Sequence, residues 1–275
     1  MEQYVLKKKS NGESIHVSDV QSVLLEMLKD VNQVCKKHDI PYFLNGGSAL
    51  GAYRHQGFIP WDDDVDIAMM DDDYNRLVNV IQDELYKDYA IDAYEFKKCY
   101  NVCIPAMKIR KKNTYVEEAN TLLKNKCSES DGLFIDVFVY SHLSDKMIVD
   151  LPFRMINVIL MPFIVLFENI GINPIPLKNI FKANARFYGK LMSRSNYIGF
   201  DLTWTFKNPL KPFRFKKDDI YPTQDLKFED MNLPVANNIK EYLKVAIAPS
   251  FESLPAREER KPKHIVDINL EGDKP

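Results

Sequence analysis

The amino-acid sequence predicts an α/β or α+β fold, because helix and strand patterns alternate along the first half of the chain. Apolar residues recur at helical spacing over residues 16–38, which predicts an amphipathic helix. Short apolar runs between turn residues predict strands at residues 42–44, 65–70, 104–110 and 133–140.

Caps and helix-breaking residues predict where these elements begin and end. Pro41 ends the first helix, because the residue before a proline is biased away from helical geometry. Ser48 to Arg54 is expected to form a helical turn with Ser48 as its N-cap. Asp71 to Asp73 is expected to cap a helix that runs to about Tyr86. A last helix is expected near residues 235–245, and the final twenty residues are expected to form a surface tail.

The composition is that of a folded protein and disfavours one class of function. Of the 275 residues, 45% are apolar and 28% are charged, the balance of a globular chain. The net charge of −2 argues against nucleic acid as a partner, since there is no overall basic excess. The N-terminal residues lack the apolar core of a signal peptide, so we expect a cytoplasmic protein.

Four cysteines without a Cys-x-x-Cys pair have two interpretations. Cys99, Cys103 and Cys127 could ligate zinc, but a fourth ligand is not obvious. Reduced, partly buried thiols are the favoured interpretation for these three and for Cys35, because nothing in the sequence indicates a secreted disulfide framework.

Residues 151–172 form an unusually apolar segment. Between Arg154 and Glu168 there is no charged residue, but this stretch is shorter than the ~20 apolar residues that a bilayer span needs. The segment is therefore expected to be either a buried core helix or a helix in a membrane interface. Basic residues follow on one helix face, at four-residue spacing: Lys178, Lys182, Arg186, Lys190 and Arg194. A basic face beside an apolar segment suits anionic lipid headgroups, which slightly favours membrane contact.

The most informative stretch, residues 44–67, contains clustered carboxylates. Asp64 and Asp66 lie near the start of a predicted strand at i and i+2, so both side chains emerge on one face and could share Mg²⁺. Asp136 is the candidate third carboxylate, because a lone acid among apolar strand residues is costly to bury unless it is paired or metal-bound. An acid at a strand edge facing water is the alternative. Asp62 could coordinate or orient a ligand, whereas Asp63 is expected to point away.

The same stretch begins with candidate contacts to phosphate. Gly46, Gly47 and Ser48 would place backbone N–H groups and a hydroxyl at a helix start, where an anion is favoured. Arg54 and His55 follow, and they would either contact phosphate or stabilise the loop. The glycines and the carboxylates together indicate phosphoryl chemistry on a nucleotide-like donor.

Two basic residues on another predicted strand are further candidates for phosphate binding. Lys108 and Arg110 share one face of that strand, and solvated charges at a strand edge are their alternative role. His264 is too isolated in the sequence to receive a role from physical arguments alone.

These motifs resemble the LicD family, which includes bacterial phosphorylcholine transferases. The resemblance is most specific over residues 46–52 and 54–66, and the strand Phe134 to Phe138 is similar to the one that carries the family's third carboxylate. Weaker similarities are found at residues 107–110 with Thr114, at 228–243, and at Leu254-Pro255 with His264. A Tyr-Gly pair that is usual in the C-terminal helix region is replaced by Ala246-Ile247.

The resemblance implies a nucleotidyltransferase-like mixed sheet flanked by helices. It implies a catalytic core over residues 1–145, an apolar and basic helical insertion over 146–200, and a C-terminal part over 201–275 that completes the domain. By this resemblance Asp64 and Asp66 would bind Mg²⁺ (or Mn²⁺), with Asp62 as a helper. Asp136 would be either a metal ligand or the base for the acceptor hydroxyl.

The expected function is that of a metal-dependent phosphotransferase. It would move a phospho-alcohol, such as phosphocholine, from a CDP-alcohol such as CDP-choline to a hydroxyl of a glycan or lipid-linked polysaccharide precursor. Ribitol phosphate and glycerol phosphate are alternative cargoes, and a nucleotidyltransferase that releases pyrophosphate is an alternative reaction. A non-enzymatic alternative is a Ca²⁺-binding membrane scaffold, although the EF-hand pattern is absent. Membrane contact would place the protein on the inner face of the plasma membrane.

Overall fold

The computed structural model describes residues 4–8, 12–120, 123, 127–204 and 210–272. Over these residues the chain forms a mixed α/β fold, and this confirms the predicted fold class. The strands are β1 (Val5–Lys8), β2 (Ser14–His16), β3 (Phe43–Leu44), β4 (Asp66–Met70), β5 (Tyr89–Ala93), β6 (Met107–Lys111), β7 (Tyr115–Glu118), β8 (Phe134–Leu143), β9 (Tyr197–Phe200), β10 (Phe215–Lys216), β11 (Gln224–Phe228), β12 (Met231–Val235) and β13 (Ile265–Asn269). The helices are α1 (Val17–Lys37), α2 (Gly46–His55), α3 (Asp71–Val78), α4 (Ile81–Leu85), α5 (Met147–Asn169), α6 (Ile175–Leu191), α7 (Lys217–Ile220) and α8 (Ile239–Ala246).

The central sheet has seven strands and is organised around β8. Five strands lie in the order β10-β9-β8-β4-β3, and β6 and then β5 extend the sheet from β8. β4 runs parallel to β8, whereas β6 and β9 run antiparallel to it. β8 pairs with β6 through residues 134–137 and with β9 through residues 140–143. Strands β4, β8 and β6 therefore lie side by side at the level of residues 66, 136 and 108.

Helix α1 has the amphipathic pattern predicted for residues 16–38. Its apolar stripe is fully buried in the core, at Val20, Leu24, Met27, Leu28 and Val31. Each such side chain contributes about 1.5–3 kcal/mol when it is removed from water. The helix ends at Lys37, before Pro41, as predicted.

Three elements of the structure differ from the prediction. The helix expected over residues 71–86 is two helices, α3 and α4, separated at Asn79 and Val80. Strand β5 was not predicted, although all five of its residues are buried. The final residues are not only a surface tail, because β13 pairs with β7 through partners such as Asn269 and Tyr115. Because such a pairing joins distant parts of the chain, the local sequence pattern gives little indication of it.

The cysteines also differ from the expectation of four reduced thiols. Cys99 and Cys127 form a disulfide, which ties the loop before β6 to the segment before β8. Cys35 and Cys103 are free and buried, and burial raises the pKa of the Cys35 thiol to about 12. Zinc ligation by Cys99, Cys103 and Cys127 is therefore wrong, since two of the three sulfurs are bonded to each other. A disulfide is more typical of an oxidising compartment than of the cytoplasm. The cytoplasmic location stays a prediction.

The apolar segment forms most of α5, which packs against α6. Within the described residues, α5 is the one helix long and apolar enough to cross a membrane by length and composition, and 22% of its most apolar window is buried. The expected basic face of α6 is not continuous. Lys178 is fully buried and contacts Glu168, and Lys182 and Arg186 both pair with Glu95. The last two residues of the row take no part in these ion pairs. Lys190 is exposed near the end of α6, and Arg194 is exposed beyond it.

Candidate active site

Two of the predicted carboxylates and one predicted cation form a row across three neighbouring strands. Asp66 on β4 lies beside Asp136 on β8, and Asp136 lies opposite Lys108 on β6. The Nζ atom of Lys108 is 2.8 Å from Oδ1 of Asp136 and 3.1 Å from Oε2 of Glu118. The structure thus brings Asp136 to the Asp-x-Asp pair, as predicted, but with a lysine as its direct partner.

The two glycines of the motif lie beside carboxylates, and each needs to be glycine for a different reason. A Cβ on Gly47 would lie 2.8 Å from Oδ2 of Asp62, closer than real Cβ atoms approach. A Cβ on Gly46 would lie 3.6 Å from Oδ2 of Asp66, and Gly46 has a φ of +52°, which favours glycine. The Gly-Gly pair therefore keeps the start of α2 close to the acidic loop and to the first residue of β4.

Two of the groups that were predicted to contact phosphate, the N–H of Gly46 and the hydroxyl of Ser48, make hydrogen bonds within the protein. The N–H of Gly46 donates to the hydroxyl of Tyr242 at 2.9 Å. The hydroxyl of Ser48 is buried and accepts the N–H of Asp66 at 3.0 Å. Ser48 is also not the N-cap, since α2 begins at Gly46 after Asn45. The hydrogen bond of Ser48 fixes α2 against β4, and that of Gly46 fixes it against Tyr242 of α8. Phosphate binding by Gly46, Gly47 and Ser48 stays a prediction.

Arg54 and His55 stabilise the loop, which was the second of their two expected roles. The guanidinium of Arg54 donates to the carbonyl oxygens of Phe251 and Ser253. The ring of His55 packs edge-on against Trp61, with centroids 6.2 Å apart, and burial lowers the pKa of His55. Among the described residues, neither side chain lines the cavity that contains Asp64 and Asp66.

Lys108 and Arg110 share one face of β6, as predicted, but have different environments. Arg110 is 3% exposed and pairs with Asp92 and Glu118, contacts that favour a structural role, and phosphate binding by Arg110 stays a prediction. A buried guanidinium needs such carboxylate partners. Lys108 lines the cavity of the acidic cluster, where its charge is shared between Asp136 and Glu118.

His264 is the site residue that physical reasoning from the sequence missed. Its Nδ1 lies 2.8 Å from Oδ2 of Asp64 and 3.4 Å from Oδ1 of Asp63. Asp63 points away from the cavity, as predicted, and accepts the backbone N–H groups of Lys263, His264 and Ile265. A buried aspartate thereby fastens the C-terminal segment to the acidic loop. The weak family similarity at His264 was the only signal for it.

The cavity at the site has a volume of about 350 Å³ and is lined by both charged side chains and aromatic rings. The charged residues include Asp64, Asp66, Asp136, Lys108 and His264. The rings are those of Phe134, Phe138 and Trp204, and the Nζ atom of Lys108 lies 3.5 Å from the centroid of the Phe134 ring. Flat rings beside fixed charges suit a ligand that combines a base or alkyl group with phosphate.

Burial and mutual repulsion disfavour the ionised forms of the acids. Burial raises the pKa of Asp66 well above its usual range, and repulsion from Asp64 and Asp136 raises it further. Burial raises the pKa of Asp62 as well, with repulsion from Asp64 as the next cause. Burial also raises the pKa of Asp136, although Lys108 counteracts part of this increase.

The donor set fits a divalent cation. Four side chains each offer one ligand atom, and these atoms lie within 4.8 Å of one another: Asp62, Asp63, Asp64 and His264. Asp66 and Asp136 follow on the paired strands β4 and β8. Carboxylate oxygens are the ligands that Mg²⁺ and Mn²⁺ prefer. A cation would favour the ionised forms of these crowded buried acids, as the charge of Lys108 does in part for Asp136.

The mixed sheet and its strand-borne carboxylates lie in a part of the chain that comparison with known proteins identifies. Residues 39–157 match the model of the LicD/FKTN/FKRP nucleotidyltransferase domain. The matched range contains the glycine pair, the acidic loop, Lys108 and Asp136. The resemblance to the LicD family is thereby confirmed over these residues.

Individual relatives match parts of the chain. It is 30% identical over 126 residues to the lipopolysaccharide cholinephosphotransferase LicD of Haemophilus influenzae, a match that covers 46% of this chain and 44% of that protein. It is 29% identical over 143 residues to an uncharacterised protein of Rickettsia prowazekii, covering 51% of each. The chain therefore matches about half the length of these relatives, or less.

Proposed function

We propose that the protein is a phosphotransferase that moves a phospho-alcohol, with phosphocholine as the first candidate, from a CDP-linked donor to a glycan hydroxyl. The observation that carries the proposal is the row formed by Asp66, Asp136 and Lys108 on adjacent strands, inside a LicD-type domain. The similarity to a lipopolysaccharide cholinephosphotransferase supports phosphocholine as cargo and a cell-surface glycan as acceptor.

In the proposed reaction, an acceptor oxygen forms a bond to the phosphorus that carries the alcohol. The bond from that phosphorus to the bridging oxygen breaks, and CMP leaves with the electron pair. The proton of the acceptor hydroxyl passes to a base. Asp136 is the candidate base, because its carboxylate lies on the cavity wall and its pKa is raised by burial.

Asp62, Asp64 and Asp66 would hold Mg²⁺ or Mn²⁺, which when bound supplies positive charge against the donor diphosphate. Ligation of the metal ion is the alternative role of Asp136, in place of its role as the base. Lys108 contributes a fixed positive charge on the same wall of the cavity, 2.8 Å from Asp136. Phe134, Phe138 and Trp204 also line the cavity and would give an apolar surface to the base or the alcohol of the donor.

A direct test uses CDP-choline, CDP-ribitol and CDP-glycerol with Mg²⁺, and scores the release of CMP. Replacing Asp64 or Asp66 by alanine is expected to lower CMP release by about 1,000-fold or more, since each removes charge that the donor site needs. Asp225→Ala is a matched control, because Asp225 is an exposed aspartate on β11. Full turnover in both site variants would contradict the proposal.

The identity of the products separates this reaction from its nearest alternative. A nucleotidyltransferase with the same carboxylates would act on a nucleoside triphosphate and release pyrophosphate. Incubation with CTP and phosphocholine, followed by assays for both pyrophosphate and CMP, distinguishes the two. Pyrophosphate as the product, with no CMP from any CDP-alcohol, would favour the nucleotidyltransferase. Strong Ca²⁺ binding without any nucleotide turnover would instead favour a scaffold.

A further inference from the structure

Helix α5 has two chemically different faces along its whole length. One stripe is buried against the rest of the protein and contains Asp150, Arg154, Asn157 and Ile164, at spacings of three, four and seven residues. The opposite stripe is apolar and open to solvent, from Ile148 at 78% exposure to Ile170 at 61%. Its other members are Met155, Ile159, Phe163 and Leu166.

Helix α6 extends this apolar surface. Ile180, Phe187 and Leu191 follow at helical spacing, and each of them is more than half exposed. The ring of Phe187 lies 6.2 Å from that of Phe153 on α5, so the open faces of the two helices adjoin. Contiguous exposed apolar surface of this extent marks a site of contact with a partner or a membrane.

The buried stripe of α5 is held by polar contacts to the rest of the protein. Asp150 accepts hydrogen bonds from Tyr188 and Arg214. The side-chain amide of Asn157 donates to the carbonyl oxygens of Phe181 and Leu202. Crossing a bilayer would strip these partners from the helix and expose Asp150 and Arg154 to lipid, at a cost of several kcal/mol. The contacts therefore favour a helix that lies along a surface.

Positive charges adjoin the apolar surface. Lys98, Arg186 and Lys190 line the same shallow depression as Phe187, and Lys146 is exposed before the start of α5. Acids also lie nearby: Asp145 is exposed beside Lys146, and Asp71, Asp72 and Asp201 line a neighbouring cavity with Lys182, Arg186 and Lys190. Among the residues that line the depression itself, Glu95 is the one acid, and it pairs with Lys182 and Arg186. The depression therefore has a positive balance of charge, which complements anionic headgroups.

We propose that the α5–α6 hairpin lies in the plane of an anionic membrane interface, with its open apolar face among the lipid chains and Lys98 and Lys190 at the headgroups. Two helices would rest on one leaflet, as amphipathic interfacial helices do. This binding is independent of the proposed catalysis. Its tests measure binding alone, so the two proposals can fail separately.

Flotation of the full chain with vesicles tests the proposal. Wild-type protein is expected to float with vesicles of phosphatidylcholine and phosphatidylglycerol, and less with phosphatidylcholine alone. Phe163→Gln and Leu166→Gln are each expected to lower partitioning about tenfold, which corresponds to about 1.4 kcal/mol. Lys98→Gln and Lys190→Gln are each expected to lower it about fivefold, and only for the anionic vesicles.

The controls are Leu254→Gln and Val266→Gln, which replace equally exposed apolar residues elsewhere on the chain and are expected to leave flotation unchanged. Because all the replaced side chains are solvent-exposed, unchanged thermal unfolding is expected for every variant. Equal flotation of wild type and the Phe163 and Leu166 variants would overturn the proposal. It would also be overturned by a stable dimer that Phe163→Gln dissociates, or by native membranes that retain the protein after alkaline carbonate extraction.

Discussion

His264 and Asp64 are in direct contact, with Nδ1 of the histidine 2.8 Å from Oδ2 of the aspartate, although they come from opposite ends of the chain. Burial would lower the pKa of His264, but its hydrogen bonds to Asp63 and Asp64 outweigh burial and raise that pKa to about 11. In the absence of a metal ion, the imidazole is therefore protonated at neutral pH. It supplies a positive charge at the edge of the acidic cluster.

The protonated imidazole predicts a pH-dependent contribution of His264 to stability. Because the folded-state pKa is above the unfolded value of about 6.5, the contribution is fully present below that value and is lost as the pH rises through about 11. In chelator-treated protein, His264→Gln should therefore lower the free energy of unfolding more at about pH 6 than at about pH 10. Denaturant titrations of wild type and variant at both pH values measure this difference. A difference that grows with pH would contradict the assignment.

The crowding of the carboxylates predicts that replacing Asp66 raises the stability of the protein and lowers its activity. Its raised pKa means that ionisation of this buried acid opposes folding at neutral pH when no cation is bound. Asp66→Asn should therefore raise the melting temperature of the metal-free protein by several degrees, while CMP release falls by about 1,000-fold. Thermal unfolding with chelator, and again with Mg²⁺ or Mn²⁺, tests the first part. Mn²⁺ should stabilise the wild type and not the variant.

A matched comparison is Asp92→Asn, which changes a buried aspartate of the same sheet that is paired with Arg110. Asp92→Asn removes one of the two carboxylates that pair with the buried guanidinium of Arg110 and leaves Glu118 as the other, so this variant should be destabilised by about 1–3 kcal/mol. If both variants shift the melting temperature in the same direction, the acidic cluster is not under the repulsion inferred for it.

The disulfide predicts a definite pattern of thiol reactivity. In the folded, unreduced protein, neither Cys35 nor Cys103 should react with iodoacetamide at about pH 8, because both are buried and burial raises the pKa of each thiol. Unfolding without reductant should expose two thiols, and unfolding with reductant should expose four. Mass spectrometry of the alkylated chain counts them. Four reactive thiols in unreduced, unfolded protein would show that Cys99 and Cys127 are not bonded.

Local patterns predicted the elements close to the site better than the site's contacts. The spacing of Asp64 and Asp66, and the apolar strand around Asp136, predicted three acids on a sheet, and the register of β4 and β8 brings Asp66 and Asp136 together. The contact between Asp64 and His264 depends on how the C-terminal segment returns to the acidic loop. That return is fixed by Asp63 and by β13, and no local periodicity records it.

Several charged residues have tertiary partners that local spacing did not predict. Arg110 is neutralised by Asp92 and Glu118, and Lys178 by Glu168. Each of these ion pairs joins different strands, helices or loops. Helical or strand spacing in the sequence therefore predicts which face of an element a charged side chain lies on, but not which residue it pairs with. The same limit applies to Gly46, whose N–H is taken by Tyr242 from α8.

Gly47 and Asp62 give the sharpest test of how the motif is built. A Cβ on Gly47 would lie 2.8 Å from Oδ2 of Asp62, so Gly47→Ala should displace the carboxylate and lower both CMP release and stability. Without that clash, alanine in place of glycine inside a helix is worth about 1 kcal/mol. In an Asp62→Ala background, Gly47→Ala should therefore stabilise the protein. Unfolding measurements on the four proteins of this double-mutant cycle give the coupling energy, and additive effects would mean that the two residues do not constrain each other.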